Sequence, residues 1–528
     1  MRSSVAPRIA LGLVSLVVLF GCGAAQADDA ADLAGELPLT ELEPPDTEDR
    51  GEAPEARPDG APLASGTAEL SRPAPELGMG SDAVDMEASG PMIHTPRELV
   101  DFPDARFPRP EHVRGLYVNA WAAGSEARMT ALLDLARRTE VNSFVIDIKD
   151  VTGYLSHRTE VPLAHEIGAT GERRIRDLPA LLDRLEAEGI YPIARITVAK
   201  DPLLSTHRPE LAIQDTAGGV WIDSKDIVWL NPYARGVWEY HVQIAREVAQ
   251  MGFPEIQWDY IRFPDAPPAD MDRAVFPGSE GRARDEAIRG FLTYARDGLA
   301  DLPVRSTADV FGVTTSFRRD IGLGQLWESF IDVVDVALPM VYPSHYWEDS
   351  FGYSEPNAYP YEVVRAALRD AIGRSSKVAG AGLTRPWIQD FTLGPPRYGA
   401  PEVRAQIQAA YDVGIQEWIL WNPSTRYSES ALEPVGGFEE EPLLRVAGVL
   451  TPASRRHIVM DSVAALPSET MSVDTLAVPV DTTAGDSVRV DTLKAEMLGV
   501  GALTGDSLEL PATPVDTLSE TDLVRRRR

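Results

Sequence analysis

Cysteine, histidine and aromatic residues are what this 528-residue chain has least of: one Cys, eight His and 7% Phe, Trp and Tyr. A lone cysteine excludes any intramolecular disulfide, a cysteine-based metal site and a cysteine protease. The histidines at 157, 165, 207, 241 and 345 stand singly, and none forms an H-x-H or H-E-x-x-H pair. A metal-dependent hydrolase or polysaccharide deacetylase would therefore have to rely on carboxylates, and no metal is expected. No Gly-x-Ser-x-Gly elbow is present, which argues against a serine hydrolase. The pair of glycines in Gly380-Ala-Gly-Leu is too little for a phosphate-cradling loop, and no cofactor is expected. Basic residues are also short, 50 Lys and Arg against 81 Asp and Glu, a net charge of −31. A general nucleic-acid binder needs the opposite sign to neutralise phosphates.

The ends differ in composition from the middle. Arg2 and Arg8 precede an apolar run over 9–20, and Leu-Phe-Gly-Cys follows at 19–22. A basic flank, a short apolar core and a small residue before the cut describe an export signal, and the run is short for a bilayer crossing. Cys22 stands where a bacterial lipoprotein carries its lipid, although Phe20 is larger than the residues usual there. The reading is a signal peptide over 1–22, lipidation at Cys22 and anchorage to the bacterial cell envelope, at the outer membrane or cell surface. An uncleaved anchor and an ordinary signal peptide are the alternatives. Residues 23–97 are rich in Ala, Pro, Glu, Asp and Gly with almost no aromatic residue, too little apolar surface to offset chain entropy. They read as a disordered tether. Residues 457–528 repeat Val-Asp-Thr at 473, 480, 490 and 515 and read as a low-complexity acidic tail.

Between them, over 98–456, strand and helix signals alternate. Strands are predicted at 114–121, 143–150, 191–198, 255–263, 304–311, 333–342, 377–383 and 417–422. Helices are predicted at 126–139, 175–188, 235–251, 282–300, 324–330, 361–372 and 401–413. Eight strands alternating with helices predict an α/β fold, a (β/α)8 TIM-type barrel, with an open doubly wound sheet as the alternative. The missing Gly-rich turn after the first strand weakens that alternative.

Parallel barrels keep their chemistry at the C-terminal ends of the strands, and strand parity selects the residues facing the axis. The fourth strand reads Glu-Ile-Gln-Trp-Asp-Tyr-Ile-Arg-Phe-Pro over 255–264, and charged groups at a buried strand end are costly unless paired or functional. Parity sends Gln257 and Asp259 inward there, with Arg262 at the rim. It sends Asp147 and Lys149 inward on the second strand, Arg195 on the third and Asp309 on the fifth. Tyr117, Asn119 and Trp121 come from the first strand, Met340 and Tyr342 from the sixth and Trp421 from the eighth. Carboxylates, cations and aromatic rings are what sugar binding uses, since C–H faces stack and hydroxyls need planar polar partners. Paired acids are what glycosidic cleavage needs: one protonates the leaving oxygen, the other attacks the anomeric carbon or activates water. Asp259 and Asp309 are expected roughly 5–9 Å apart.

Each residue also has a structural reading. Asp147 with Lys149 or Arg195 would be an ion pair filling a barrel layer, Asp259 a partner for Arg262, and Asp309 a helix cap. Trp121 and Trp421 would be rim packing.

The strings Arg-Gly-Leu-Tyr-Val-Asn at 114–119, Phe-Val-Ile-Asp-Ile-Lys-Asp at 144–150 and the fourth-strand run resemble a bacterial family of (β/α)8-barrel glycoside hydrolases. The resemblance covers about 112–450 and implies a carbohydrate-active barrel. The Met-x-Tyr at 340–342 and the late Trp421 are also similar to chitinase-type barrels, but the Asp-x-Asp-x-Glu of those enzymes is missing.

The expected function is hydrolysis of glycosidic bonds in an envelope or extracellular polysaccharide. Asp259 would be nucleophile or base and Asp309 the acid. Asp147, Lys149, Arg195 and Arg262 would orient hydroxyls and tune both carboxyls. The alternative is a barrel that binds polysaccharide or oligosaccharide without cleaving it. The expected partners are the sugar and, through Cys22, a membrane; nucleic acid is not one. The excursion over 199–231, with Trp221 and Trp229, is expected to wall a cleft above the mouth.

Overall fold

Short β-branched and aromatic runs, each followed by a helix with one apolar face, can hide both sides of a parallel sheet only by closing it or covering it twice. A computed structural model describes residues 94–464 apart from Asp104, and there the sheet closes. The strands are β1 Arg114–Val118, β2 Ser143–Lys149, β3 Tyr191–Thr197, β4 Glu255–Asp259, β5 Arg305–Phe311, β6 Val336–Met340, β7 Trp387–Gln389 and β8 Trp418–Trp421. Each pairs in parallel with its neighbour, and β8 returns to β1 through Arg114↔Trp418. The fold is a (β/α)8 TIM-type barrel. The apolar run, Cys22, most of the 23–97 tether and the Val-Asp-Thr tail lie outside the described residues. No helix among those described is long and apolar enough to cross a membrane.

The main helices are α1 Glu126–Arg138, α2 Leu178–Ala187, α3 Arg235–Met251, α4 Arg284–Leu299, α5 Trp327–Phe330, α6 Pro360–Ser375 and α7 Ala400–Asp412. Ser125 and Asp177 cap α1 and α2 by accepting backbone N–H bonds, and Gly252 ends α3 at a φ of 117°, a left-handed cap open to glycine at least cost. Even-numbered residues of β4 pack outward. Trp258 is fully buried against Phe291 of α4, ring centroids 5.2 Å apart, and its Nε1 donates to Ser306 Oγ at 2.9 Å. Burying a tryptophan this way removes on the order of 200 Å² from water, worth several kcal/mol. An antiparallel hairpin, Leu443–Val446 with Val449–Pro452, packs Leu444 and Val446 into a second apolar cluster with residues of α6 and α7.

Two sequence expectations need correction. The seventh strand lies at 383–389, not at 377–383. Residues 376–382 turn instead, with Gly380 at a φ of +71°, and Leu383–Thr384 then pairs with β6 before Trp387–Gln389 continues along β6 and β8. Pro386 splits the strand, and a proline inside a run is read as arguing against a strand. The first strand ends at Val118 rather than 121, because Asn119 caps a helical turn, Ala120–Ala123, by accepting from the Ala122 N–H at 2.8 Å. The described residues include chain on either side of 98–456. Arg97 donates to Val334 O and Asp335, and a helix runs over Arg456–Ala464.

Candidate functional site

Barrel parity brings one cation and three carboxylates to the C-terminal half of the interior. Arg195 of β3 donates from Nη1 to Asp147 Oδ1 of β2 at 2.6 Å and from Nε to Asp259 Oδ2 of β4 at 2.8 Å, with Nη2 on the same oxygen. Its Nε also lies 3.9 Å from Asp309 Oδ2 of β5. Asp309 accepts from Gln257 Nε2 at 3.0 Å and from Trp387 Nε1 at 2.7 Å. Tyr117 of β1 donates its hydroxyl to Asp147 Oδ2 at 2.5 Å and stacks on Trp421 of β8, centroids 4.0 Å apart, while Arg195 lies against both rings. Asp259 Oδ1 accepts from the N–H of Tyr260, a residue held at a φ of 51° just past the strand end.

The set is enclosed, Asp259 being 4% and Asp309 1% exposed. Burial is the main force on Asp309 and pushes its carboxyl well above the usual range; the negative charge of Asp259 adds to this, and Arg195, Trp387 and Gln257 only partly oppose it. Asp147 is raised too, first by burial, against the pull of Arg195. Burial also penalises the charge on Arg195, but Asp259 and Asp147 outweigh it and the guanidinium is held more firmly protonated than usual.

Above this layer the mouth opens into a cavity that is open to solvent. Tyr260, Arg262, Phe311, Met340 and Tyr342 at the strand ends line it, along with His345 and, from the 199–231 excursion, Lys200, Asp223, Lys225, Ile227 and Trp229. The excursion is held by its own small core, where Trp221 and Trp229 pack with Ile213 and Tyr260. A two-residue ribbon ties it to the loop after β4. Gly312 keeps the wall close: a Cβ there would fall 2.3 Å from Met340 O and 2.7 Å from Tyr346 Oη.

The sequence-derived residues thus divide. Tyr117, Asp147, Arg195, Gln257, Asp259, Asp309 and Trp421 form one network, and Arg262, Met340 and Tyr342 line the cavity. Three expected at the mouth face elsewhere. Lys149 is displaced by a register shift in β2: Asp147 pairs with Arg195, but Lys149 pairs with Ile196, an outward-facing position. Its Nζ bonds Thr197 O at 2.8 Å and pairs with Asp201 at 2.9 Å, all fully buried. Asn119 spends its amide on the cap and on Pro423 O, and Trp121 is 66% exposed on that turn with Arg174 over its ring. Asp259 pairs with Arg195 and not with Arg262.

Sequence reasoning missed Trp387, Arg385 and Asp390, all displaced by the misplaced seventh strand. Trp387 holds Asp309; Arg385 bridges Glu255 at 2.6 Å and Glu417 at 2.9 Å deeper in the barrel. Asp390, at the end of β7, is bonded by Ser428 and pushed by burial to about 6. A Trp and a Gln flanking the expected strand were the available signal. Among the described residues no group of three or more His, Cys, Asp or Glu is arranged to hold a metal ion.

A family model described as "Putative glycosyl hydrolase domain" matches residues 115–427, more than half of the chain, and the chain belongs to that family. A solved structure of a hypothetical protein from Ruminiclostridium thermocellum is 39% identical over 37% of this chain and 97% of its own, with a TM-score of 0.34. The glycoside hydrolase domain of PgaB (BpsB) from Bordetella bronchiseptica is 13% identical over 59% of this chain and 94% of its own, at a TM-score of 0.42. The spore cortex-lytic enzyme SleL from Bacillus megaterium is 11% identical over 61% and 74%, at 0.36. No curated protein matches the chain.

Proposed function

We propose that this member of the glycosyl hydrolase domain family cleaves glycosidic bonds in a polysaccharide of the cell envelope or its surroundings, with Asp309 as the general acid and Asp259 as the nucleophile. The observation that carries the reading is the unequal treatment of two carboxyls that share Arg195. Asp259 takes the full ion pair, while Asp309 is pushed by burial toward its protonated form. Such a divergence is what acid and nucleophile require of one site. The nearest oxygens of the two residues lie 2.8 Å and 3.9 Å from the same Nε. That crowding suits the roughly 5–5.5 Å of a retaining pair better than the roughly 6.5–9.5 Å of an inverting one.

In the proposed sequence, Asp309 gives its proton to the leaving oxygen as Asp259 attacks the anomeric carbon. The ionised Asp309 then takes a proton from the water that releases the sugar. Arg195 steadies the developing charges, and Tyr117 and Asp147 fix its orientation. Substrate would approach through the cavity, where Tyr260 and Phe311 follow the two acids in their strands. Lipidation at Cys22 and anchorage to the envelope belong to the same proposal and rest on the 1–22 segment alone.

A second reading, sugar binding without cleavage, is favoured by the 1% exposure of Asp309 and its two N–H donors, an arrangement that also suits a packed core. Reducing ends released from a polysaccharide panel by wild type but not by folded Asp259→Asn would support the enzyme. Equal binding by both proteins, with no release by either, would favour the second reading.

A further inference from the structure

We propose that the cavity at the barrel mouth is a receptor for a sugar carboxylate, so that the substrate is a uronate-containing polysaccharide; this rests on the mouth being the substrate site. The observation is Arg262. It is 8% exposed, yet among the described residues no carboxylate lies within ion-pair distance of it, and its one hydrogen bond is a 3.3 Å contact from Nη1 to Phe263 O. Three rings hold it instead: Phe311 at 4.6 Å, Trp229 at 4.9 Å and Tyr260 at 5.0 Å from the guanidinium carbon.

A buried cation without a counter-ion is expensive, and aromatic faces compensate only part of the lost hydration. Such an arrangement leaves the edge of the guanidinium, a planar fork of N–H donors, for a planar anion. Neutral sugar hydroxyls would be equally served by acceptors, which a guanidinium does not have. The cavity's own acids do not meet the need. Asp223 uses Oδ1 on the Lys225 and Ile227 N–H groups and Oδ2 on Trp229 Nε1, and Asp265 is exposed at the rim. Lys200 and Lys225 in the same wall add positive potential around an incoming anion.

The test is calorimetric titration of the full chain with oligogalacturonate, oligomannuronate and a glucuronate-containing oligosaccharide, each beside its carboxyl-reduced neutral counterpart. At least one acidic form should bind 10-fold or more tightly than its neutral twin. Arg262→Met should erase about 10- to 100-fold of that affinity. Arg262→Lys, which keeps the charge without the fork, should lose an intermediate share. Lys225→Met, on an exposed side chain that cannot compromise folding, should lose a few-fold. Equal binding of acidic and neutral forms, absence of acidic binding, or full affinity in Arg262→Met would overturn the proposal. So would equal binding of a sulfated neutral glucan, since the assignment is to a planar carboxylate. Product release is scored on the same panel. Cleavage of neutral chains without acid preference sinks this inference alone, whereas carboxylate-dependent binding without products sinks the glycosidase reading alone.

Discussion

Asp309→Asn is expected to leave the protein more stable than wild type at neutral pH while removing turnover, and the expectation follows from how the carboxyl is held. Its pKa in the fold lies well above the unfolded value of 3.8, chiefly through burial and the nearby charge of Asp259. Between those two values the unfolded chain has released a proton that the fold still binds. This contribution to stability is therefore fully present below pH 3.8, falls as pH rises through the window and stays lost above it. A tenfold difference in proton affinity between the folded and unfolded chain is worth about 1.4 kcal/mol. An amide carries no such penalty, so the variant's advantage should be near zero at pH 3.5 and on the order of 1 kcal/mol or more at pH 7.5, a rise in Tm of roughly 2 °C. The hydrogen bonds can be kept. The new carbonyl oxygen still accepts from Trp387 Nε1, and once the Gln257 side-chain amide turns over, the new amide N–H can donate to its Oε1, which is buried and has no hydrogen bond among the described residues. Urea unfolding at a series of pH values, fitted with a common m-value, measures the difference, because other raised acids such as Asp147 and Asp390 cancel between the two proteins. Turnover should fall at least 100-fold, the usual contribution of a general acid. A variant that is less stable by the same amount at every pH would refute the reasoning; Asp309 would then be a counter-ion that Arg195 requires.

Trp387→Phe keeps most of the ring and deletes the Nε1–H that favours ionised Asp309, so the alkaline limb of the kcat/KM profile should move to higher pH, at a cost of about 1 kcal/mol in unfolding free energy. Lys149→Met strands Asp201 in a fully buried site and should destabilise the fold by about 3–5 kcal/mol in denaturant titration. The kcat/KM of its folded fraction should match wild type; a selective loss of kcat/KM would return Lys149 to the substrate site.

The fold was legible because alternation is a local signal. Trp258 outward and Asp259 inward follow from the two-residue period, and the same count places Arg195 between its partners on β2 and β4. The count failed where the backbone breaks the period. The register shift after Asp147 turns Lys149 outward, and no propensity at Ile148 announces it. Pro386 concealed the seventh strand and with it Trp387, the donor that grips Asp309. Trp121 was lost to the cap at Asn119, a residue type that serves an N-cap as readily as a sugar. Arg262 was expected to orient hydroxyls at the rim, and it lines the cavity; the structural alternative that paired it with Asp259 fails because pairing in a barrel runs across strands, and Arg195 reaches Asp259 from the neighbouring strand.

Charge balance explains why a removable proton should sit in this layer at all. Arg195 is one positive charge among Asp147, Asp259 and Asp309, and an interior of low polarity does not tolerate an uncompensated excess of two negative charges. Burial pushes the carboxyls of Asp147 and Asp309 upward, in the direction that reduces this excess, and Asp259 is an ion-pair partner of Arg195. The two raised acids are not equivalent. Asp147 is fixed between Tyr117 and Arg195, at the centre of the β1–β3 contacts, whereas Asp309 stands in β5 two residues before Phe311, which lines the cavity. Of the two raised acids, Asp309 is the one whose strand runs on into the cavity wall, at Phe311. Deeper in the barrel Arg385 meets two glutamates, and there the balance differs: Arg109 supplies a second cation to Glu417, so that layer has two positive charges for two negative ones. The deep layer has its paired charges matched in number, while the layer beneath the cavity is short of cations by two. Under the proposed function, that difference, set by the residues on alternate positions of β2 to β5, assigns acid–base chemistry to the upper layer and holding the barrel closed to the lower one.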